Sequence, residues 1–431
     1  MKLRSKILAF VLAFGGLWAE SHAQEGFFIN GLRLGMGTRA IGMGGAFSAV
    51  GGDYSASYWN PAALTQIRRT EISGGISHLV RENISNFNSQ FFTTDELSKT
   101  RLSEIGFAYP VPTFRGSLVF SFGYNRTKNF DANFALDVFN GSPDDSIGQS
   151  WNERELGMLN SWTLAGAMEL SPQLSAGLGI NVWSGTNDYL FSEKENDIYD
   201  IWTFDTFRAD DRIESDFTGF NVTMGMLYKV NSAFQLSASI STPTTYTILE
   251  KWSADTLTTY DDSDVESFRD DGRSEYKIQS PAKLTTGASL RIAGLILSGQ
   301  FDFNNWSQIQ YQSEPPFYGE SQESANEEII ETYVNTVRTR LGAELSLPGT
   351  GTQLRAGIIS EPSPYAGDTA KNPREYVTFG LGFLLDKQTK LDIALVHGKW
   401  KEENGGLNEF VTAVNEEIKV NKIFATLSFR Y

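Results

Sequence analysis

Chemistry needs nucleophiles, bases or ligands held at fixed spacing, and this 431-residue sequence offers few of them. Its three histidines are His22, His78 and His397, and they lie far apart along the chain. Hydrolysis by a serine nucleophile needs a histidine base and a carboxylate to orient it. No Gly-x-Ser-x-Gly turn announces such a serine. The sequence has no cysteine, which excludes a lipid-anchored lipoprotein and suits a membrane barrel, whose paired strands need no disulfide. Acids gather at Asp261-Asp262-Ser263-Asp264-Val265-Glu266 and at Asp270-Asp271-Gly272. Alternate carboxylates suit calcium, but the run lacks the glycine and closing glutamate of a calcium-binding loop. The residues read as those of a protein that is not an enzyme, with no cofactor and no resident metal.

What remains is charge on one face of alternating segments. Lys283, Arg291, Asp302, Arg340, Glu344, Arg355, Lys390, Asp392 and Arg430 all fall on such faces. In an enclosed space of low dielectric constant a cation strongly favours an anion. Lys283, Arg291 and Arg355 are therefore candidates to meet the carboxylate of a bound molecule. The bland reading pairs most of these cations with Asp302, Glu344 and Asp392. Phe27, Phe28 and Phe47 are candidates for the apolar part of the same molecule. Tyr199, Trp202, Phe204 and Phe207, interleaved with acids, form either an apolar landing groove or the core of their own loop.

The elements that must position these residues are strands. Leu118, Phe120, Phe122 and Tyr124 alternate with Ser117, Ser121, Gly123 and Asn125. Ile423, Ala425, Leu427, Phe429 and Tyr431 alternate with Thr426, Ser428 and Arg430. Period two of this kind recurs in fourteen segments, from Glu71–Leu79 to Lys422–Tyr431, each about the length of a tilted membrane strand. Alternation alone also fits a soluble sandwich. Connection lengths separate the two. Short turns at 171–173, 231–233, 293–294, 348–351 and 386–388 alternate strictly with long connections, from Val80–Ser103 to Gly398–Asn421. Membrane barrels put short turns on the periplasmic side and long loops outside, which leaves both termini periplasmic.

One stretch stands apart from this pattern. Thr38 to Leu64, TRAIGMGGAFSAVGGDYSASYWNPAAL, is dense in glycine and alanine and almost uncharged, so its backbone is suited to close packing. Asn60-Pro61 sets a turn at its end. Arg39-Ala40, the glycines Gly42, Gly44 and Gly45, Asp53-Tyr54, Tyr58-Trp59 and Asn60-Pro61-Ala62 resemble the N-terminal signature of the long-chain fatty-acid transporter (FadL-type) family of outer-membrane barrels. The resemblance implies an all-β fold: a 14-stranded antiparallel transmembrane β-barrel whose N-terminal segment is a hatch inside the lumen. It implies gating roles for Arg39, Gly42, Gly44, Gly45, Asp53, Asn60 and Pro61. It also implies passive uptake of hydrophobic small molecules, long-chain fatty acids or aromatic hydrocarbons. The alternative is a scaffold within a protein-secretion or surface-assembly complex.

Residues 1–23 read as a cleaved signal peptide, with Lys2, Arg4 and Lys6, an apolar run from Ile7 to Trp18, and Ser21-His22-Ala23. Residues 24–66 are then the hatch and 67–431 the barrel. The net charge of −16 argues against nucleic acid as a partner. The expected partners are a hydrophobic substrate, outer-membrane lipid and lipopolysaccharide. The barrel-assembly machinery is expected during biogenesis, reading the terminal Phe429-Arg430-Tyr431. The expected state is a monomer in the outer membrane.

Overall fold

A computed structural model describes residues 32–431 apart from 88–90, 143–144, 317–318, 368–372 and 406–412. The signal segment, Phe27 and Phe28 lie outside the described residues. In chain order the strands are β1 (Glu71–Phe87), β2 (Phe91–Val111), β3 (Leu118–Asn129), β4 (Ala132–Ser142), β5 (Asp145–Glu169) and β6 (Leu174–Asp197). Next come β7 (Phe204–Lys229), β8 (Phe234–Ser241), β9 (Thr245–Tyr260), β10 (Val265–Gln279), β11 (Lys283–Ile292) and β12 (Leu295–Asn305). The last are β13 (Gln310–Tyr311), β14 (Asn335–Ser346), β15 (Thr352–Glu361), β16 (Arg374–Leu384), β17 (Thr389–Gly405) and β18 (Ala413–Arg430).

Fourteen of these close an antiparallel ring, because β18 pairs back on β1 with Glu71 opposite Arg430. Closure removes every sheet edge inside the bilayer, where an unpaired backbone group has no water to turn to. The other four, β4, β9, β10 and β13, stand above the ring: β4 pairs with β5, and the β9–β10 hairpin continues from the upper half of β7. All fourteen ring strands fall on the segments that the sequence alternation picks out.

The faces sort as lipid requires. Phe120, Phe122, Leu178, Val182, Ile423 and Leu427 are exposed on the outside, while Ser121, Asn125, Ser175 and Thr426 are buried within. Apolar-out, polar-in is the order of a membrane barrel. Trp162 packs against Phe122 and Tyr124 near one end of this band, and Phe429 packs against Tyr431 near the other. Aromatics at both rims match the interfacial girdles of outer-membrane barrels.

The long connections differ from simple loops. β1 and β2 remain paired up to Phe87 opposite Phe91, and β6 and β7 up to Asn196 opposite Thr206. The external parts are therefore mostly sheet. Above the bilayer the outward face meets water, so apolar alternation disappears while pairing continues. Over the external mouth, Phe130, Leu159, Phe217, Tyr246, Ile248, Tyr276, Trp306, Tyr311 and Ile329 form one apolar cap. The last of these sits on helix α1 (Gln322–Thr332), which Ser321 caps by accepting from Ser324 N. Phe204 and Phe207 pack with Ile147 and Tyr260 in a separate loop core, with Trp202 against them, while Tyr199 stays exposed.

Candidate functional site

The segment from Leu32 to Gln66 runs inside the ring. It holds two short helical turns (Thr38–Gly42 and Ala56–Trp59) and a 3-10 turn (Pro61–Gln66). Ala40, Met43, Phe47, Val50 and Trp59 form its own small core. Its lower part, Ala49, Ala56, Ala62, Ala63 and Leu64, packs on the inward Ala108, Val119, Ala165, Ala167 and Leu227 of the wall. Small residues on both sides let the two backbones meet at interior density.

Glycines of the wall make the closest approaches possible. A Cβ at Gly342 would lie 2.2 Å from Met43 O, and one at Gly357 would lie 2.2 Å from Gly44 N. Gly44 and Gly45 both have positive φ, 65° and 69°, and a Cβ on Gly45 would sit 2.6 Å from the Trp59 ring. Neither space nor backbone admits a side chain there. Gly42 lies against Gly380, and its carbonyl accepts from Thr378 Oγ1, which in turn accepts from Gly44 N.

The ionic residues then fix the hatch. Arg39 donates to both oxygens of Glu344 at 2.7 Å, to Gly51 O at 3.0 Å and to Asp53 at 3.3 Å. Burial opposes the Arg39 charge, but Glu344 and then Asp53 outweigh it and hold the guanidinium above its ordinary value. Asp53 also accepts from the backbone and hydroxyl of Ser55. Asn60 Nδ2 donates to Ser48 O and to Met226 O of the wall, both at 3.0 Å, while its Oδ1 accepts from Ala62 N. Pro61 opens the 3-10 turn that follows, where a missing N–H costs nothing. Burial pushes the Tyr54 hydroxyl up, so it remains a donor, here to Asn125.

Arg340, the largest fully buried side chain, pairs with Asp302 at 3.2 Å and donates to Gly44 O at 3.0 Å. Gln300 accepts from Phe47 N and Ser48 N. Of the three cations read as substrate candidates, Arg291 donates to Val50 O and Gln66, and Arg355 pairs with Glu344 and Asp392. Both are engaged by hatch or wall. Phe47 is fully buried in the hatch core, with Arg39 over its ring.

Lys283 is different. It lines a cavity of about 180 Å³ between the hatch and the external cap. Arg33 and Tyr58 come from the hatch, Leu159, Tyr246 and Trp306 from the cap, and Trp183, Lys128 and Arg338 from the wall. The indoles are satisfied, Trp183 by Asn221 and Trp306 by Thr336, so they present apolar faces. Arg33 and Arg338 share Glu361. The Lys283 ammonium lies over the Tyr58 ring at 5.3 Å and makes no hydrogen bond or ion pair among the described residues. The cavity thus combines aromatic walls with a cation, Lys283, that has Asp302 within electrostatic range but gives no hydrogen bond to any described residue. Trp183, Tyr246 and Trp306 were not singled out from sequence, because an inward aromatic above the bilayer has the same local pattern as a packed loop residue.

His78 and His397 face outward, bonded to Thr100 and Asn421. Among the described residues no three His, Asp or Glu side chains gather to hold a metal.

Residues 18–431 match the family described as outer membrane protein transport protein (OMPP1/FadL/TodX). The chain belongs to this family. Solved structures share its architecture. The Pseudomonas putida toluene transporter TodX aligns with a TM-score of 0.64 at 12% identity, over 93% of this chain and 99% of that one. A FadL homologue of Pseudomonas aeruginosa gives 0.60 at 13%, over 94% and 98%. The Ralstonia pickettii toluene transporter TbuX gives 0.58 at 14%, over 93% and 99%. No curated protein sequence matches the chain. At such identities the structural likeness speaks for the fold, and the family match places the chain among outer-membrane barrels.

Proposed function

We propose that this protein passively admits hydrophobic small molecules across the outer membrane, through a barrel whose hatch must shift to let them pass. The cavity at Lys283 carries this reading. It is aromatic, it lies directly above the hatch, and two hatch residues, Arg33 and Tyr58, form part of its lining. A molecule bound there touches the element that blocks its way. A water-filled porin would show an open lumen, whereas here the ring is packed with side chains from Leu32 to Ile67. The toluene transporters among the similar structures support an apolar ring as one kind of substrate. Lys283 suits an acid such as a fatty acid as well. Outer-membrane lipid and lipopolysaccharide surround the barrel in this reading, the assembly machinery inserts it after a signal peptide is removed, and it works as a monomer.

The test is uptake by cells whose own hydrophobic-uptake barrels have been deleted. Expression of this chain should speed entry of labelled oleate and toluene without an added energy source. Lys283→Met should slow oleate roughly tenfold, about 1.4 kcal/mol, and leave toluene unchanged. Uptake no faster than in empty-vector cells, for both compounds, would refute the proposal.

A further inference from the structure

We infer that Arg101, Arg126 and Lys422 form an oxyanion-binding site on the lumen side of a parting between β2 and β3, separate from the cavity at Lys283. The parting comes from strand register. β2 pairs with β3 only from Glu104 opposite Asn125 to Val111 opposite Leu118. Above that level β2 continues to Phe91 against β1. β3 instead turns toward β5 through a register shift between Arg126 and Lys128, and its end at Asn129 bridges to Leu32 of the hatch. The strand thus leaves the wall for the interior and carries Arg126 with it.

Three cations share the space this opens. Arg101 is on an inward position of β2, next to the exposed Leu102, and Lys422 is on an inward position of β18, next to the exposed Ile423. One acid serves them. The Asp131 side chain is completely buried, 3.6 Å from Arg101 and 3.8 Å from Arg126, and strand register sets Lys422 two strands over, opposite Leu79 of β1 where Arg101 is opposite Ser77. Both distances exceed hydrogen-bond range. Asp131 takes its hydrogen bond from Gly157 N instead, at 3.2 Å.

Several donors are left over, although Arg126 gives its Nη atoms to Asn129 Oδ1, Gly157 O and Met158 Sδ. Among the described residues Arg101 and Lys422 donate no hydrogen bond, and Lys422 rests over the Phe424 ring at 5.0 Å. The Nε atoms of Arg101 and Arg126 are buried without an acceptor. So are both amide atoms of Asn133, two residues past Asp131. Three positive charges against one negative charge, with Arg126 and Lys422 more than nine-tenths buried, make a costly arrangement unless an anion completes it. An oxyanion, with several lone pairs, can accept from guanidinium, ammonium and amide together. It has two possible sources: the acidic end of a molecule crossing the lumen, or the phosphate of an outer-leaflet lipid reaching through the parting.

The test uses the folded mature protein in detergent, unfolded by heat in anion-poor buffer while inorganic phosphate is titrated in. Wild type should gain stability saturably. Lys422→Met and Arg101→Gln should each weaken the apparent affinity at least tenfold, while Lys283→Met should leave it unchanged. Lys422→Met should also raise the unfolding temperature without phosphate, because it removes excess charge, which distinguishes a lost site from a damaged fold. Competition by octanoate would mark a transported acid as the source, and competition by lipid A vesicles would mark the membrane; either result supports the site. A phosphate response equal in wild type, Lys422→Met and Arg101→Gln, or no response in wild type, would overturn it.

Discussion

Single residues decide how closely hatch and wall can meet. Gly357 is the sharpest case, because a Cβ there would overlap the backbone of Gly44 rather than the tip of a movable side chain. Gly357→Ala should therefore push the hatch away from β15 while the ring still closes, at a cost of about 1–3 kcal/mol for overpacking. Cells carrying it should show normal amounts of barrel and increased sensitivity to small polar antibiotics. Wild-type sensitivity would mean that the hatch absorbs the extra methyl without moving. Part of this scale was legible in the sequence. Inward charges could be placed by counting in twos, and Arg340 with Asp302, Arg355 with Glu344 and Lys390 with Asp392 do pair. Which cation lacks a hydrogen-bond or ion-pair partner could not be read, because that depends on partners such as Val50 O and Glu344 that lie hundreds of residues away for Arg291 and across a strand pair for Arg355.

At the scale of elements, the fourteen ring strands were readable because lipid imposes a strict rule on every second residue. Their external continuations were not, since water on the outer face imposes none. β9 shows the limit: Ile248 and Tyr246 are buried, but Lys251, Asp255 and Thr259 alternate with them as any soluble loop might. The hatch was legible as a compact segment, and Asn60-Pro61 as the turn at its end. Asn60 ties Ser48 to Met226, so it holds the hatch to itself and to β7 at once. Replacing both residues with Ala should remove these bonds and free the turn by about 1 kcal/mol per residue. The double variant should reach the outer membrane in normal amount, take up fluorescent fatty acid at an altered rate and leak small solutes. Unchanged uptake with no leak would count against a hinge at this junction.

The whole molecule is a ring closed by its first and last strands, with Thr70 and Tyr431 exchanging backbone hydrogen bonds at 3.1 Å. Such a ring resists detergent until heated, so unboiled protein should migrate faster than boiled protein in gels. Equal migration would contradict the closed barrel. In the function we propose, molecules cross only when the hatch shifts. Ser48 of the hatch and Ser237 of β8 place their Oγ atoms 3.0 Å apart, within reach of a disulfide if both become cysteine. In cells expressing Ser48→Cys together with Ser237→Cys, oleate uptake should fall to the empty-vector rate on oxidation and recover on reduction. Equal uptake in the oxidised and reduced states, with the disulfide verified by mass, would show that substrate passes without the hatch moving.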